Sequence, residues 1–358
     1  MRVCPMLSLV PVCLRGGNAT MTTRILTGRA VYAIGFGAMN MSHGYGPALD
    51  DAACGDLLNR ALDTGYTHID TAAIYGFGHN ETMIGTHIAH RRSEYVLASK
   101  CGFFRDPETG QGGIDSRPES IRAACEESLK KLRTEAIDLY YLHRWDRTTP
   151  IADVAGTFGR LVEEGKIRAY GLSECSAETL RAAHAEHPCS AVQSEYSLWT
   201  RNPEIAVLDA CKELGATFVA FSPLARQYLT GVMGAQVTFP DNDIRYGMPR
   251  FEGEAWEKNR ALLAEYTRIA EQADCTPAQL ALGWLLAQGA HVLPIPGTSK
   301  ADHLEENFGG GTVALAPELV ERLDDLINQN TVIGGRYTEK MQAQVGTEDF
   351  GGEEEGER

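Results

Sequence analysis

The chain has 358 residues, 43% hydrophobic and 23% charged, the proportions of a folded soluble protein long enough for one large domain or two ordinary ones. Disordered, fibrous and small disulfide-stapled classes are excluded. Its 33 Lys and Arg against 48 Asp and Glu leave a net charge of −15, a sign that repels phosphate backbones and anionic lipids, so neither nucleic acid nor a membrane is an expected partner.

At the start, Met6 to Leu14 is a short apolar run behind Arg2, accompanied by Pro5 and Pro11 and followed by no close small-x-small cleavage site. It is too weak a pattern for a signal peptide. Thr22-Thr23-Arg24, after Met21, leads into the first strand, so residues 1 to 20 read as an upstream extension that contributes nothing to folding or catalysis.

Beyond it, short β-branched or apolar runs alternate with amphipathic stretches. Strands are expected to end near Gly37, Asp70, Lys100, His143, Ser173, Gln193, Phe221 and Pro296, at separations of 33, 30, 43, 30, 20, 28 and 75 residues. Most lie near the about 30 residues of one strand-helix unit. Eight such units predict a single-domain α/β (β/α)8 barrel, also called a TIM barrel, over residues 21 to 330. Between strands, Ile121, Cys125, Leu129 and Leu132 line one side of a helix, and Thr276, Pro277 and Gln279 spell an N-cap, N1 and N3 capping box. Ala169 to Leu172 and Phe218 to Phe221 are apolar on both faces, as parallel strands covered by helices are.

Two separations exceed the period. Phe103 to Arg117, with Gly110, Gly112 and Gly113, is a long loop after the third strand; between Phe221 and Pro296 lie a polar loop, Ala225 to Glu254, and two helices. Loops at the C-terminal ends of barrel strands build active sites, so both are expected substrate walls. Residues 331 to 358 form a C-terminal segment. From Thr347 on, Glu348, Asp349, Glu353, Glu354, Glu355 and Glu357 stand against Arg358, which predicts a solvated, disordered and dispensable tail.

Nine cysteines, Cys4, Cys13, Cys54, Cys101, Cys125, Cys175, Cys189, Cys211 and Cys275, are never closer than nine residues. They form no disulfide framework or zinc knuckle and suit a reducing, cytoplasmic compartment.

The chemistry-bearing residues stand at the strand ends. His68-Ile69-Asp70-Thr71-Ala72-Ala73-Ile74-Tyr75-Gly76 puts an acid at a strand top and a tyrosine in the loop beyond; Ala98-Ser99-Lys100 ends the next strand, and Leu142-His143 the one after. In a barrel these are neighbouring tops, so Asp70, Tyr75, Lys100 and His143 converge on one mouth. The set suits reversible carbonyl reduction, in which charge developing on oxygen calls for a proton donor. A tyrosine, with a pKa of about 10, is expected to be tuned downward by Lys100; Asp70 would aim that lysine and His143 would orient the carbonyl.

With these motifs the chain resembles the aldo-keto reductase superfamily from Arg24 to Asn328, nearer its bacterial and plant branch than its aldose reductase branch. Ile34-Gly35-Phe36-Gly37-Ala38-Met39, Gly165-Lys166-Ile167-Arg168-Ala169-Tyr170-Gly171-Leu172-Ser173, Phe221-Ser222-Pro223-Leu224 and Pro294-Ile295-Pro296-Gly297-Thr298-Ser299-Lys300 extend the match. The resemblance implies an NADP-dependent enzyme acting on the CH-OH group of donors and on small aldehydes or ketones, with NADPH or NADP+ extended across the mouth and NADH as a second possible cofactor. It implies Asp70, Tyr75, Lys100 and His143 as the catalytic tetrad. Ser173 and Gln193 would hold the nicotinamide, Phe221 and Ser222 would flank its ring, and Leu224 and Arg226 would flank the pyrophosphate. Gly297, Ser299, Lys300, His303, Glu306 and Asn307 would hold the adenosine end, with Lys300 and His303 facing the 2′-phosphate. Glu174 departs from the asparagine of many members, which puts one nicotinamide contact in doubt. The Gly76-Phe77-Gly78 run lacks the third glycine of a dinucleotide fingerprint.

Aromatics near the mouth, Phe103, Phe104, Trp145 and Trp199, suggest an apolar or ring-bearing substrate. Two rival readings are a cofactor-binding regulatory subunit on the same fold and a metal-dependent barrel hydrolase using His68, Asp70, His79 and Glu81; no metal is expected, because only Asp70 and His143 stand at strand tops. The oligomeric state is left open.

Overall fold

The computed structural model describes residues 22–105 and 109–350. The expected extension over residues 1 to 20, with Cys4 and Cys13, and the last acids of the tail lie outside the described residues.

Thr27 and Gly28, with φ of 50° and 78°, make the two-residue turn between β1 (Thr23–Leu26) and β2 (Arg29–Tyr32), which pair antiparallel. This hairpin precedes the barrel and is not among the elements expected from the sequence, because four-residue strands are too short to reveal a periodicity. It serves as the floor. Leu26 and Val31 cluster with the barrel interior, and Thr217 Oγ1 donates to the Ile25 carbonyl at 2.8 Å.

The barrel strands follow in order. β3 (Phe36–Gly37), β4 (His68–Asp70) and β5 (Val96–Cys101) come first, then an antiparallel pair, β6 (Phe103–Arg105) and β7 (Gly112–Ile114). β8 (Ile137–Leu142), β9 (Ile167–Ser173), β10 (Ala191–Glu195), β11 (Thr217–Phe221) and β12 (Val292–Pro294) complete the set. The eight-stranded sheet runs β12-β11-β10-β9-β8-β5-β4-β3, all parallel. Its edges join where Gly35 N donates to Pro294 O at 2.9 Å and Gly37 N to Pro296 O at 3.1 Å. Gly35 permits that closure: a Cβ there would lie 2.6 Å from His68 Cδ2 and 2.9 Å from Ile295 Cγ2, inside van der Waals contact.

Among the described residues the α-helices are α1 (Asp51–Thr64), α2 (His79–His87), α3 (Pro118–Leu132), α4 (Ile151–Glu163), α5 (Ala177–Glu186), α6 (Val207–Leu214), α7 (Gly253–Ala261), α8 (Leu263–Gln272), α9 (Pro277–Ala287), α10 (Ala301–Gly309), α11 (Pro317–Leu326) and α12 (Glu339–Gln342). α3 begins at Pro118 and buries Ile121, Cys125 and Leu132 on one face. α9 carries the expected reciprocal box between Thr276 and Gln279. Between Phe221 and Pro296 there are three α-helices rather than two, since one amphipathic stretch divides at Leu262 into α7 and α8. Two apolar layers result, as the fold requires. Val96, Ala98, Leu139, Tyr141, Val219 and Leu293 fill the barrel, while Phe36, Tyr140, Tyr170 and Phe218 face the helices.

The C-terminal segment returns across the mouth. Asn259, fully buried on α7, donates to Ile333 O at 2.9 Å and accepts from Ile333 N at 2.8 Å. Further on, Arg147 Nη2 holds Val345 O at 2.5 Å and Gly346 N donates to Glu174 O at 2.9 Å. Glu348 and Asp349, assigned by the charge pattern to a solvated tail, are docked instead. Glu348 Oε1 accepts from Ala177 N at 2.7 Å, and Asn202 Nδ2 donates to Asp349 Oδ1 at 3.1 Å. A carboxylate at the start of α5 satisfies a free amide there, a long-range partner that composition does not reveal.

Candidate active site

The strand register brings the four chemistry-bearing side chains together. Asp70 ends β4 opposite Gly37 and Ala98, and Lys100 lies near the end of β5 opposite Tyr141. Lys100 Nζ donates to Asp70 Oδ1 and to Thr71 O at 2.7 Å, and lies 3.4 Å from Tyr75 OH. The loop carrying Tyr75 continues the ladder, with Thr71 N on Ala98 O at 2.9 Å and Ala73 N on Lys100 O at 3.1 Å. His143 N likewise reaches Cys101 O at 2.8 Å. The His143 ring stands edge-on to Tyr75, with centroids 5.9 Å apart and planes at 83°.

Electrostatics assign each group a protonation state. Burial works against the Lys100 charge, but Asp70 and Tyr75 outweigh it, and the ammonium is held above its ordinary pKa. For Tyr75 the expected downward tuning is overturned: burial pushes the phenol up more than Lys100 pulls it down, and the net shift is upward. Desolvation disfavours the phenolate, which outweighs a single nearby charge. His143 is pushed well below its ordinary value by burial, then by Arg144, Lys100 and His43, so the imidazole is neutral at neutral pH. Its buried Nδ1 has no hydrogen-bond partner among the described residues.

These groups sit at one end of a cleft of about 500 Å³. Asp70, Tyr75 and His143 line it, while Lys100 lies behind them. Every residue expected at the cofactor lines the same cleft: Ser173, Gln193, Phe221, Ser222, Leu224, Arg226, Gly297, Ser299, Lys300, His303, Glu306 and Asn307. Three side chains at or beside the cleft have partners within the chain. Gln193 Nε2 donates to Asp70 Oδ2 at 2.8 Å, so it braces the carboxylate with its amide nitrogen. Arg226, which lines the cleft, is paired within the chain: its Nη2 is 2.7 Å from Glu195 Oε2 and 3.1 Å from Tyr337 OH. Glu174, with φ of 55°, turns its carboxylate out of the cleft onto Arg336 at 2.6 Å and accepts from Glu195 N at 2.8 Å. A buried carboxylate needs charged or amide partners, and these lie away from the cleft.

Of the two loops expected to line the cleft, Ala225 to Glu254 does so and no described residue of Phe103 to Arg117 does. Phe103 backs the His143 ring at 5.0 Å without lining the cleft, and Phe104 is 47% exposed on the β6–β7 hairpin. Trp145 lines a separate cavity of about 370 Å³ and donates to Thr149 O at 2.8 Å; Trp199 stacks in the core on Tyr228 at 4.0 Å. The walls come from the loop after β3 (His43, Tyr45), the excursion after β11 (Val232, Ile244) and the C-terminal segment (Met341, Val345). Arg144, beside His143, also faces the cleft and was missed by the sequence reading. A cation following a strand-top histidine was the available signal.

At the far end the cleft has the features of a nucleotide cradle. Gly297 leaves backbone bare where a Cβ would lie 2.7 Å from Asn40 Oδ1 and 2.9 Å from Gly37 O. α10 begins next to it without a side-chain cap, and the exposed Lys300 and His303 flank that start. Backbone amides at a helix start with cations beside them suit a phosphate.

The metal constellation does not assemble. His68 Nδ1 contacts Val96 O at 3.1 Å, His79 Nε2 contacts Asp51 at 3.1 Å, and Glu81 accepts from Ser99 at 2.6 Å. Among the described residues no three His, Cys, Asp or Glu side chains group as metal ligands, and no helix is long and apolar enough to cross a membrane.

A closed (β/α)8 barrel with an ionisable cluster and an elongated cleft at the C-terminal strand ends defines a barrel protein of the enzyme type. The chain belongs to the Aldo/keto reductase family, matched over residues 33–328. It is 43% identical over 323 residues, 89% of this chain and 95% of the relative, to a Schizosaccharomyces pombe protein named aldo-keto reductase yakc, NADP(+). It is 39% identical over 315 residues, covering 87% and 89% of the two chains, to probable aldo-keto reductase 1 of Glycine max. Its fold resembles the glycerol dehydrogenase AKR11B4 from Gluconobacter oxydans, with a TM-score of 0.78 and 29% identity, covering 88% of this chain and 98% of the other. It also resembles an aldo-keto reductase from Klebsiella pneumoniae in complex with NADPH, with a TM-score of 0.67 and 28% identity, covering 86% and 95%.

Proposed function

We propose that this chain reduces an aldehyde or ketone to the alcohol, reversibly, using NADPH, with Tyr75 as the proton donor. The observation that carries the reading is Tyr75 OH 3.4 Å from a buried Lys100 ammonium, edge-on to a neutral His143 in the same cleft. The relatives named for NADP(+) and solved with NADPH support the cofactor, as do the bare Gly297 backbone and the α10 start with Lys300 and His303.

NADPH, when bound, supplies the hydride. The chain's own residues handle the oxygen. As the C=O bond gives way to new C–H and O–H bonds, negative charge grows on the carbonyl oxygen and the Tyr75 proton moves to it. Burial keeps that proton on Tyr75 until then, and the Lys100 charge stabilises the phenolate left behind, which solvent reprotonates. Asp70 holds Lys100 in place, and Gln193 holds Asp70. Neutral His143 keeps its proton on Nε2 for the substrate oxygen, which leaves the unpartnered Nδ1 as a bare acceptor rather than an orphaned donor.

Tyr75→Phe tests the assignment, because it removes the hydroxyl and little else. The expected loss in kcat is about 10²–10⁴-fold, with NADPH affinity, read by fluorescence titration, nearly constant. A variant that reduces an activated aldehyde at the parent rate while hydride transfer limits turnover would rule Tyr75 out as the acid.

A further inference from the structure

Arg144, at the reacting end of the cleft, has no carboxylate within salt-bridge distance among the described residues. Arg144 Nη1 donates to His143 O at 2.6 Å and to Ser173 Oγ at 3.1 Å, and its guanidinium lies 6.0 Å from the Phe103 ring centroid. These partners are neutral. The neighbouring acids are committed elsewhere. Asp70 serves Lys100 and Gln193, Glu174 serves Arg336, and Asp146 accepts from Ser116 N, Thr148 N and Thr149 N. By contrast Arg226, Arg245 and Arg336, the more deeply buried guanidiniums near the mouth, are each paired with a carboxylate.

In a chain with a net charge of −15, an arginine facing a cleft without an acid on it is a position kept for an anionic ligand. Withdrawing a guanidinium from water without a counter-charge is costly, and its planar fork matches a carboxylate with two hydrogen bonds. The place of Arg144 says what carries the anion. It follows His143 directly, lines the cleft with Tyr75 and His143, and stands close enough that its charge depresses His143 and opposes the rise of Tyr75. The 2′-phosphate end, at Lys300 and His303, is a different part of the cleft.

We propose that Arg144 makes this site selective for carbonyl compounds that carry a carboxylate, such as oxo acids and carboxylate-bearing aldehydes. The proposal rests on the reading of the cleft as a carbonyl-reducing site and adds the substrate class to it. Arg144 holds the carboxylate while Tyr75 and His143 face the carbonyl oxygen, so the anion is a handle and not a reacting group.

The test is a matched pair, 4-carboxybenzaldehyde and its methyl ester, with NADPH at one pH on the parent, Arg144→Met and Arg144→Lys. The readout is the acid-to-ester ratio of kcat/KM, in which effects of the variant on Tyr75, His143 and cofactor binding common to both substrates cancel. The parent is expected to favour the acid. Arg144→Met is expected to lower the ratio about tenfold or more, through KM of the acid, and Arg144→Lys to keep part of it. A parent that does not favour the acid, or a ratio in Arg144→Met within twofold of the parent, overturns the proposal. So does a large loss of NADPH affinity with the ratio intact, which assigns Arg144 to the cofactor. Benzoate binding, read by calorimetry, decides the anion site apart from turnover. Weaker binding in Arg144→Met supports it and equal binding overturns it, while failure of the parent to oxidise NADPH with either aldehyde or ester counts against the carbonyl-reducing reading instead.

Discussion

Arg336 donates from Nη2 to Glu174 Oε1 at 2.6 Å, a bond that joins the top of the fifth barrel strand to the C-terminal segment 162 residues later. The same guanidinium reaches Glu195 through Nε at 3.2 Å, and Arg226 meets Glu195 from the other side at 2.7 Å. Two arginines and two glutamates thus share one buried network under Tyr337, which lines the cleft. Burial alone would raise the Glu195 carboxyl, but Arg226, Arg336 and Arg250 hold it down at about 2.

Arg336→Met should destabilise the protein by about 3–5 kcal/mol, because it leaves two carboxylates buried with one arginine fewer. Chemical denaturation measures it, and a change below about 1 kcal/mol would show that solvent reaches the network. The pH dependence follows in sign. A Glu195 pKa depressed from 4.5 to about 2 contributes stability that is fully present above pH 4.5 and lost as pH falls toward 2. In the variant Glu195 is depressed less, so the stability lost on the acid side should be smaller and its loss complete at higher pH.

Ending the chain after Val345 deletes Gly346, which donates to Glu174 O, and Glu348, which accepts from Ala177 N at 2.7 Å. The expected outcome is a raised substrate KM and a lower melting temperature, since Met341 and Val345 line the cleft. The composition reading expects no effect. Unchanged kinetics and melting would restore it.

Lys300→Glu places a carboxylate beside the start of α10. NADPH affinity should fall about tenfold or more while NADH affinity changes little, the loss expected of one charge-assisted contact. Equal losses for both cofactors would show that Lys300 does not meet the 2′-phosphate.

Reduction should depend little on pH between 6.5 and 10. Tyr75 is raised above 10.0 and keeps its proton throughout, Lys100 is raised above 10.5 and keeps its charge, and His143, well below 6.5, stays neutral. Alcohol oxidation needs the phenolate and should accelerate as pH rises toward the Tyr75 value. Single-turnover rates in both directions measure this, and a reduction midpoint near pH 7 would contradict the assigned protonation states.

The amino-acid order by itself determined the periodic and local features. Strand ends at Gly37, Asp70 and Ser173 and near Lys100, the Thr276 capping box and the convergence of Asp70, Tyr75, Lys100 and His143 follow from chain-local patterns, because a barrel places successive strand tops side by side. The eight-strand count alone then puts those residues on one mouth. Only the tertiary structure decided where loop side chains point and which charges they meet. Burial reverses the expected shift of Tyr75, Glu195 captures Arg226, Arg336 draws Glu174 out of the cleft, and α5 docks the acid at Glu348. Each outcome depends on partners far apart in the chain and on exclusion of water. Neither leaves a trace in a residue's immediate neighbours.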